Sequence, residues 1–304
     1  MLGAWTRAYA QAPADVEGVA GAPALLAVGD IADCNLPHDS DTAALVERLP
    51  GLVAVVGDIA YPDGREEDFA DCFDPVWGQH KARLRPVPGN HEYNIGGAAG
   101  YFGYFGAIAS PREPNCRNDC KGYYSYDLGD WHIIALNSER DVDRGSAQEK
   151  WLRQDLAAHR NVCTLAYWHH PLFSSGPHGS DPLTRDLWLA LLEVGVDVVI
   201  SGHDHHYERF APQNADGVVD WQLGIRQFVV GTGGTQLYES TKIAANSQAF
   251  NSQEWGVLKL TLYPEHYEWE FVPVAGGTYE DRGSAPCVKL EDDWQERHYL
   301  PLVY

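Results

Sequence analysis

Metal-binding side-chain types recur along this chain, each at the end of an apolar run. Asp30 closes "ALLAVGD" (24–30) and Asp58 closes "LVAVVGD" (52–58), with Tyr61 three residues further on. Asn90 and His91 end "RPVPGNHE" (85–92) just before Glu92. His169 and His170 end the run that starts at "VCTLAYW", and His203, Asp204, His205 and His206 end "VDVVISGHDHH" (196–206). A lone Gly-Asp or a lone His-Asp-His says little, because buried Asp and His are usually satisfied structural groups. Five such groups at successive run ends point to a shared site. Two carboxylates, an amide oxygen and three or four imidazoles exceed the four ligands of one structural zinc. They suit two metal ions sharing one carboxylate, which together offer Lewis acidity and an activated water. Hard oxygens beside imidazoles favour iron, manganese or zinc over calcium.

Such a site needs elements that deliver its residues to one edge, and in open α/β sheets that edge is the carboxyl end of the strands. The runs at 24–30, 52–58, 85–92, 162–171, 196–206 and 226–234 read as short buried strands. The spacing predicts helices over 41–49, 146–159 and 184–195, the second opened by a Ser146/Glu149 capping box and the third stopped by Gly195. Residues 66–84 read as broadly helical with an interruption at Pro75. Alternation predicts hairpins over 122–138 and 254–274. The segments 94–121 and 235–253 are long for connectors and are expected to shape a site. Within 93–111 the Gly and aromatic residues could pack or could stack a base, and packing is the expectation. The order predicts an α/β fold, a four-layer αββα sandwich of two mixed β-sheets with helices on both outer faces. The expected layout is an irregular N-terminal segment at 1–22, the main domain at 23–275, and a polar tail at 276–304 packed on its surface.

With 304 residues and 44% hydrophobic content the chain can bury a sizeable core. Its net charge of −21, from 22 basic and 43 acidic residues, argues against a nucleic-acid-coating surface and against an anionic membrane partner. An anionic substrate would need cations to offset this field locally, which bound metals supply. No apolar run reaches the roughly 18–20 residues of a membrane span, and the N-terminus lacks the apolar core of a signal peptide. The even count of six cysteines, with no Cys-x-x-Cys pair, suggests an oxidising compartment, hence a secreted or periplasmic location. Cys116 and Cys120 could close a small loop, Cys34 and Cys72 could pair near the first two strand ends, and Cys163–Cys287 would be left; six free thiols is the competing reading, and fifteen pairings are open.

The series Asp30, Gly57-Asp58-x-x-Tyr61, Gly89-Asn90-His91-Glu92, His169-x-Pro171 and Gly202-His203-x-His205 resembles the calcineurin-like metallophosphoesterases, and within them the purple acid phosphatases of the small, single-domain type. The resemblance covers roughly residues 24 to 235. Many members of the superfamily carry Asp-x-His at the first motif; here that position is Ala32. In purple acid phosphatases the missing histidine goes with a tyrosine where Tyr61 stands, and its iron(III) charge-transfer band gives the colour. A substrate-side histidine nine residues after the fourth-motif metal histidine matches His178.

The resemblance implies that Asp30, Asp58, Tyr61 and His205 hold Fe(III). It implies that Asp58, Asn90, His169 and His203 hold a divalent Fe, Zn or Mn ion, with Asp58 bridging. His169 is preferred to His170 by the His-x-Pro pattern, and His170 is left beside the ligands. Asn90, His91 and His178 would contact substrate, and His91 or His178 would protonate the leaving group. Glu92 either orients His91 or caps its turn. The implied domain at 23–275 is a phosphomonoesterase of the acid-phosphatase type that uses an iron-activated hydroxide, takes a small phosphorylated substrate and releases inorganic phosphate. Ser174 and Ser201 lie in no nucleophile elbow, so no covalent intermediate is expected. The alternatives are a phosphodiesterase or a nucleotidase/phytase-like hydrolase on the same residues, a zinc or manganese site with Tyr61 idle, and a metal-binding module without turnover.

Overall fold

A computed structural model describes residues 21–288 except 160, 162 and 241. The expected leader (1–22) lies almost wholly outside these, as do residues 289–304 of the expected tail.

Alternate residues of the short apolar strands face opposite ways, and both ways are dry. In β1 (Ala24–Val28) and β2 (Leu52–Val56), Leu25, Ala27, Ala54 and Val56 face a core shared with Ile133, Leu165, Val198 and Phe228. Leu26, Val28, Val53 and Val55 face the other way, against Ala43 and Val46 of the helix His38–Arg48. A strand buried on both faces reads as a continuous apolar run, and it is the mark of a sheet covered on both sides. Each fully buried Leu, Val or Phe contributes about 1.5–3 kcal/mol.

The strands build two mixed sheets. One runs β13-β12-β11-β1-β2-β3, with β3 at Leu84–Val87, β11 at Gly256–Leu262, β12 at His266–Pro273 and β13 at Arg282–Pro286. The other runs β10-β8-β9-β7-β6-β5-β4, with β4 at Tyr124–Leu128, β5 at Trp131–Ala135, β6 at Cys163–Tyr167, β7 at Val198–Ser201, β8 at Tyr207–Phe210, β9 at Arg226–Val230 and β10 at Ser247–Asn251. The helices Ala147–Ala158 and Arg185–Leu192 cover the second sheet through Trp151, Leu152, Leu187 and Trp188. The first sheet is covered by His38–Arg48 and by turns between Glu66 and Phe105. This is the expected order of helix, sheet, sheet, helix. The parallel neighbours β1, β2 and β3 end at one edge, as do the parallel neighbours β6 and β7.

Local expectations fare unevenly. Pro75 does not interrupt its helical segment. It sits near the start of Asp74–Trp77, just after a π-helical turn at Phe69–Phe73, so the backbone stays helical through it while the hydrogen-bond pattern changes beside it. Ser146 caps its helix by accepting the Glu149 N–H at 3.1 Å, whereas Glu149 reaches back to Gly145 instead of closing the box on Ser146. The connector at 94–121 contains the helix Ala99–Phe105, whose Tyr101, Phe102 and Phe105 are buried in the core. Strand β10 lies inside the expected connector 235–253, and β13 lies inside the expected tail, where it pairs along β12.

The disulfides are Cys34–Cys72, Cys116–Cys120 and Cys163–Cys287. The last ties the start of β6 to the residue after β13, one sheet to the other. Three bridges point to an oxidising compartment. Among the described residues no helix is long and apolar enough to cross a membrane.

Candidate metal centre

The strand ends are held in unusual backbone. Asp30 (φ 59°), Asp58 (φ 48°) and His203 (φ 71°) all sit in the left-handed region, where a non-glycine residue is strained and persists because its surroundings over-determine it. The glycines beside them allow close approach. A Cβ on Gly57 would lie 2.4 Å from His169 Nδ1, and one on Gly89 would lie 2.2 Å from Asp58 Oδ1. The Gly-Asp and Gly-Asn pairs of the sequence are therefore packing requirements of the cluster itself.

The first group gathers around the Tyr61 hydroxyl. It stands 3.1 Å from Asp30 Oδ1, 3.4 Å from Asp58 Oδ2 and 3.2 Å from His205 Nε2. His205 Nε2 is 3.3 Å from Asp30 Oδ1, while its Nδ1 is fixed 2.8 Å from the carbonyl of Gln236. The second group shares Asp58. His169 Nε2 is 3.2 Å from Asp58 Oδ2 and 3.2 Å from Asn90 Oδ1, and its Nδ1 is anchored on the Val56 carbonyl at 2.9 Å. Asp58, His169 and His203 offer ligand atoms that all lie within 4.8 Å of one another. In His169 and His205 alike, the ring nitrogen held by a backbone carbonyl leaves Nε2 aimed at the carboxylates, the orientation a metal-ligating histidine needs.

Electrostatics follow from burial and from these contacts. Burial alone would depress the His169 imidazolium, but the Asp58 carboxylate outweighs it and holds the group up at about 10. Burial likewise works against the Asp58 carboxylate, and His169 outweighs that and keeps its pKa below the usual range. His203 is pushed down to about 2 by burial and then by His169, His170 and His178, so its ring stays neutral. Burial and the carboxylates of Asp30 and Asp58 push the Tyr61 hydroxyl well above the ordinary phenol range.

These residues fit a pair of cations. Carboxylate, amide and imidazole acceptors converge, separated by one phenol hydroxyl and imidazole protons. Cations in place of those protons would satisfy the same acceptors, and only a cation would stabilise a phenolate between two carboxylates. Asp30, Tyr61 and His205 lie together on one side of Asp58, and Asn90, His169 and His203 on the other.

The remaining predicted residues surround the cluster. His91 donates its backbone N–H to Asp58 Oδ1 at 2.9 Å, anchors Nδ1 on the Pro62 carbonyl, and brings Nε2 to 3.8 Å from Asp58 Oδ2. The exposed His178 ring lies 4.4 Å from that of His203. His170 pairs with Glu139 at 2.8 Å, and its ring lies 4.3 Å from that of His203. Glu92 does not touch the His91 side chain in any contact seen. Its fully buried carboxylate accepts the N–H groups of Gly89, Asp58, Ile59 and Ala60 at 2.8–3.3 Å, tying two strand ends together. Burial and the neighbouring Asp58 push it up to about 8.

Two neighbours have no signal in the sequence. Tyr238 stacks on His205 with ring centroids 3.9 Å apart, and Glu139 pairs with His170. Both arrive from connecting segments, so no spacing rule marks them.

The family model described as Calcineurin-like phosphoesterase matches residues 23–207. Purple acid phosphatase 15 of Arabidopsis thaliana is 26% identical over 242 residues, covering 68% of this chain and 44% of that protein. The protein named Probable inactive purple acid phosphatase 9, also of Arabidopsis thaliana, is 24% identical over 297 residues, covering 79% of this chain and 44% of that protein. The chain thus spans less than half the length of these two curated relatives. A solved purple acid phosphatase, PPD1 from yellow lupin (Lupinus luteus) seeds, has the same fold with a TM-score of 0.71 at 22% identity, covering 87% of this chain and 53% of that one.

Proposed function

This chain belongs to the calcineurin-like phosphoesterase family, and from that premise we propose that it is a dinuclear-metal phosphomonoesterase of the acid-phosphatase type. Its substrate is a small phosphate ester and its product inorganic phosphate. The observation that carries this reading is the Tyr61 hydroxyl within 3.4 Å of Asp30, Asp58 and His205 together. Two carboxylates and an imidazole around one phenol support Tyr61 as an Fe(III) ligand.

In this reading Asp30, Asp58, Tyr61 and His205 would hold Fe(III), and Asp58, Asn90, His169 and His203 would hold a divalent Fe, Zn or Mn ion, Asp58 being common to both sets. Cations so held supply Lewis acidity, an activated water and charge to offset the phosphoryl group. The chain's own residues position and protonate. His91, with Nδ1 anchored on Pro62, presents Nε2 to the cluster and can donate a proton to the leaving alkoxide. His178, on the open side of His203, can bind a phosphoryl oxygen, and Asn90 orients the same group. The three disulfides support a secreted or periplasmic location.

The test is hydrolysis of an aryl phosphate by the purified protein loaded with both metals. Turnover that falls in His91→Ala and His178→Ala is expected. The second reading, a metal-binding protein without turnover, draws on the similarity to a protein named as a probable inactive purple acid phosphatase. Complete absence of hydrolysis at full metal occupancy would favour it.

A further inference from the structure

The loop that carries His178 is wrapped around a carboxylate that no metal role claims. Asp204 lies between His203 and His205, is fully buried, and spends both oxygens on the segment 174–179. Its Oδ1 accepts the His178 N–H at 3.0 Å. Its Oδ2 accepts the Gly179 N–H at 3.3 Å and a short hydrogen bond from the Ser174 hydroxyl. Ser174 Oγ in turn accepts the Gly176 N–H at 2.9 Å. The wrap is close: a Cβ on Gly176 would lie 2.2 Å from Asp204 Cγ.

We infer that Asp204 is a positioning residue that fixes His178 for the phosphoryl group. The inference rests on the phosphomonoesterase reading. Asp204 touches neither the Tyr61 group nor the His169 group in any contact seen, so its carboxylate has no part in holding cations. It is, however, continuous in chain with two of the proposed ligands. The His178 backbone is therefore tied directly to the turn that carries His203 and His205, and the His178 ring is set 4.4 Å from His203 and 5.7 Å from Tyr238. An exposed histidine on an unanchored loop would sample many positions; here its own N–H is held by a buried charge, a bond roughly twice as strong as a neutral one.

A double-mutant cycle in the full-length, metal-loaded protein tests this. Asp204→Asn keeps the shape and removes one acceptor. It is expected to lower kcat/KM for an aryl phosphate by about 10–100-fold, with metal per chain unchanged. In a His178→Ala background the same change is expected to cost less than about 3-fold, because the two residues act as one unit. The affinity for inorganic phosphate should show the same non-additivity. Additive losses in the cycle would overturn the inference, and so would a loss of activity that follows loss of metal. If the parent protein hydrolyses nothing, the phosphomonoesterase reading fails and the phosphate-affinity cycle decides the positioning role by itself. Ser174→Ala, which removes one donor to the carboxylate, carries the cycle if Asp204→Asn does not fold.

Discussion

The backbone N–H of Tyr61 donates to the carbonyl of Ala32 at 2.8 Å. The two positions lie side by side where β1 and β2 run on into the site, and the adjoining bridge between Ala32 and Ala60 extends the ladder past the strands. Ala32 is fully buried and has no ligand atom to offer. The phenol enters the cluster from the residue bonded to it. Under the proposed assignment, a ligand that position 32 does not offer can be supplied from position 61 without moving either strand.

Tyr61→Phe follows from that relationship. The substitution removes the hydroxyl that meets Asp30, Asp58 and His205 and leaves the ring in its pocket. With iron bound, the parent protein is expected to be purple or pink, and Tyr61→Phe is expected to lose that visible band while keeping the fold. Absorption spectra at matched metal content check it. An unchanged band in Tyr61→Phe would remove the tyrosine from the ligand set.

Glu92 is predicted to matter through backbone, not through His91. Its buried carboxylate takes four N–H groups from two strand ends. Removing it leaves buried donors without partners, each costing about 1–3 kcal/mol. Because some will find water, Glu92→Ala is expected to lower stability by about 3–5 kcal/mol and to weaken metal binding, since Asp58 N–H is among the freed donors. Glu92→Gln should lose less. Urea unfolding and metal content measure both, and a Glu92→Ala protein with parental stability would show that the four contacts do not hold the strand ends.

What was legible in the sequence, and what was not, has physical reasons. The strand ends could be read because each motif is local: an apolar run, a glycine for close approach, then a polar side chain at the sheet edge. The pairing of the six cysteines and the two mixed sheets agree with expectation as well. The helix Ala99–Phe105 could not be read, because three glycines in "AGYFGYFG" (99–106) argue against helix. Burial of Tyr101, Phe102 and Phe105 overrides that propensity. Strand β10, "SQAFN", has no apolar run to announce it, being an edge strand paired only with β8. Tyr238 and the grip of Asp204 on the 174–179 loop depend on contacts between distant segments, which no local pattern records.

The Cys163–Cys287 bridge joins the two sheets across 124 residues of chain, whereas Cys116–Cys120 closes a loop of 4. Loop-closure entropy puts the first at about 5 kcal/mol and the second at about 2. The double substitution of Cys163 and Cys287 by Ala is therefore expected to lower the melting temperature markedly, and that of Cys116 and Cys120 far less. Thermal unfolding of the two variants checks the order, and equal losses would show that the bridge between the sheets adds nothing beyond a local clasp.

His132 sets a pH dependence away from the metal cluster. Its buried ring lies between two carboxylates, with Nδ1 2.9 Å from Asp127 Oδ1 and Nε2 2.7 Å from Asp155 Oδ2. Asp155 also accepts the Ser125 hydroxyl at 2.8 Å, and His159 stacks on the His132 ring at 4.1 Å. Both nitrogens can donate only when the ring is an imidazolium. Burial works against that charge, but Asp155 and Asp127 outweigh it and raise the pKa. A folded value above the unfolded value of about 6.5 means that the folded state binds the proton more tightly. The stabilisation is therefore complete below about 6.5 and is lost as pH rises through the folded value. His132→Gln should be less stable than the parent by about 1–3 kcal/mol at pH 5.5, and the gap should narrow as pH rises above neutrality. Denaturant titrations of both proteins across that range give the difference directly. A gap that stays constant with pH would mean that the ring contributes packing and not charge.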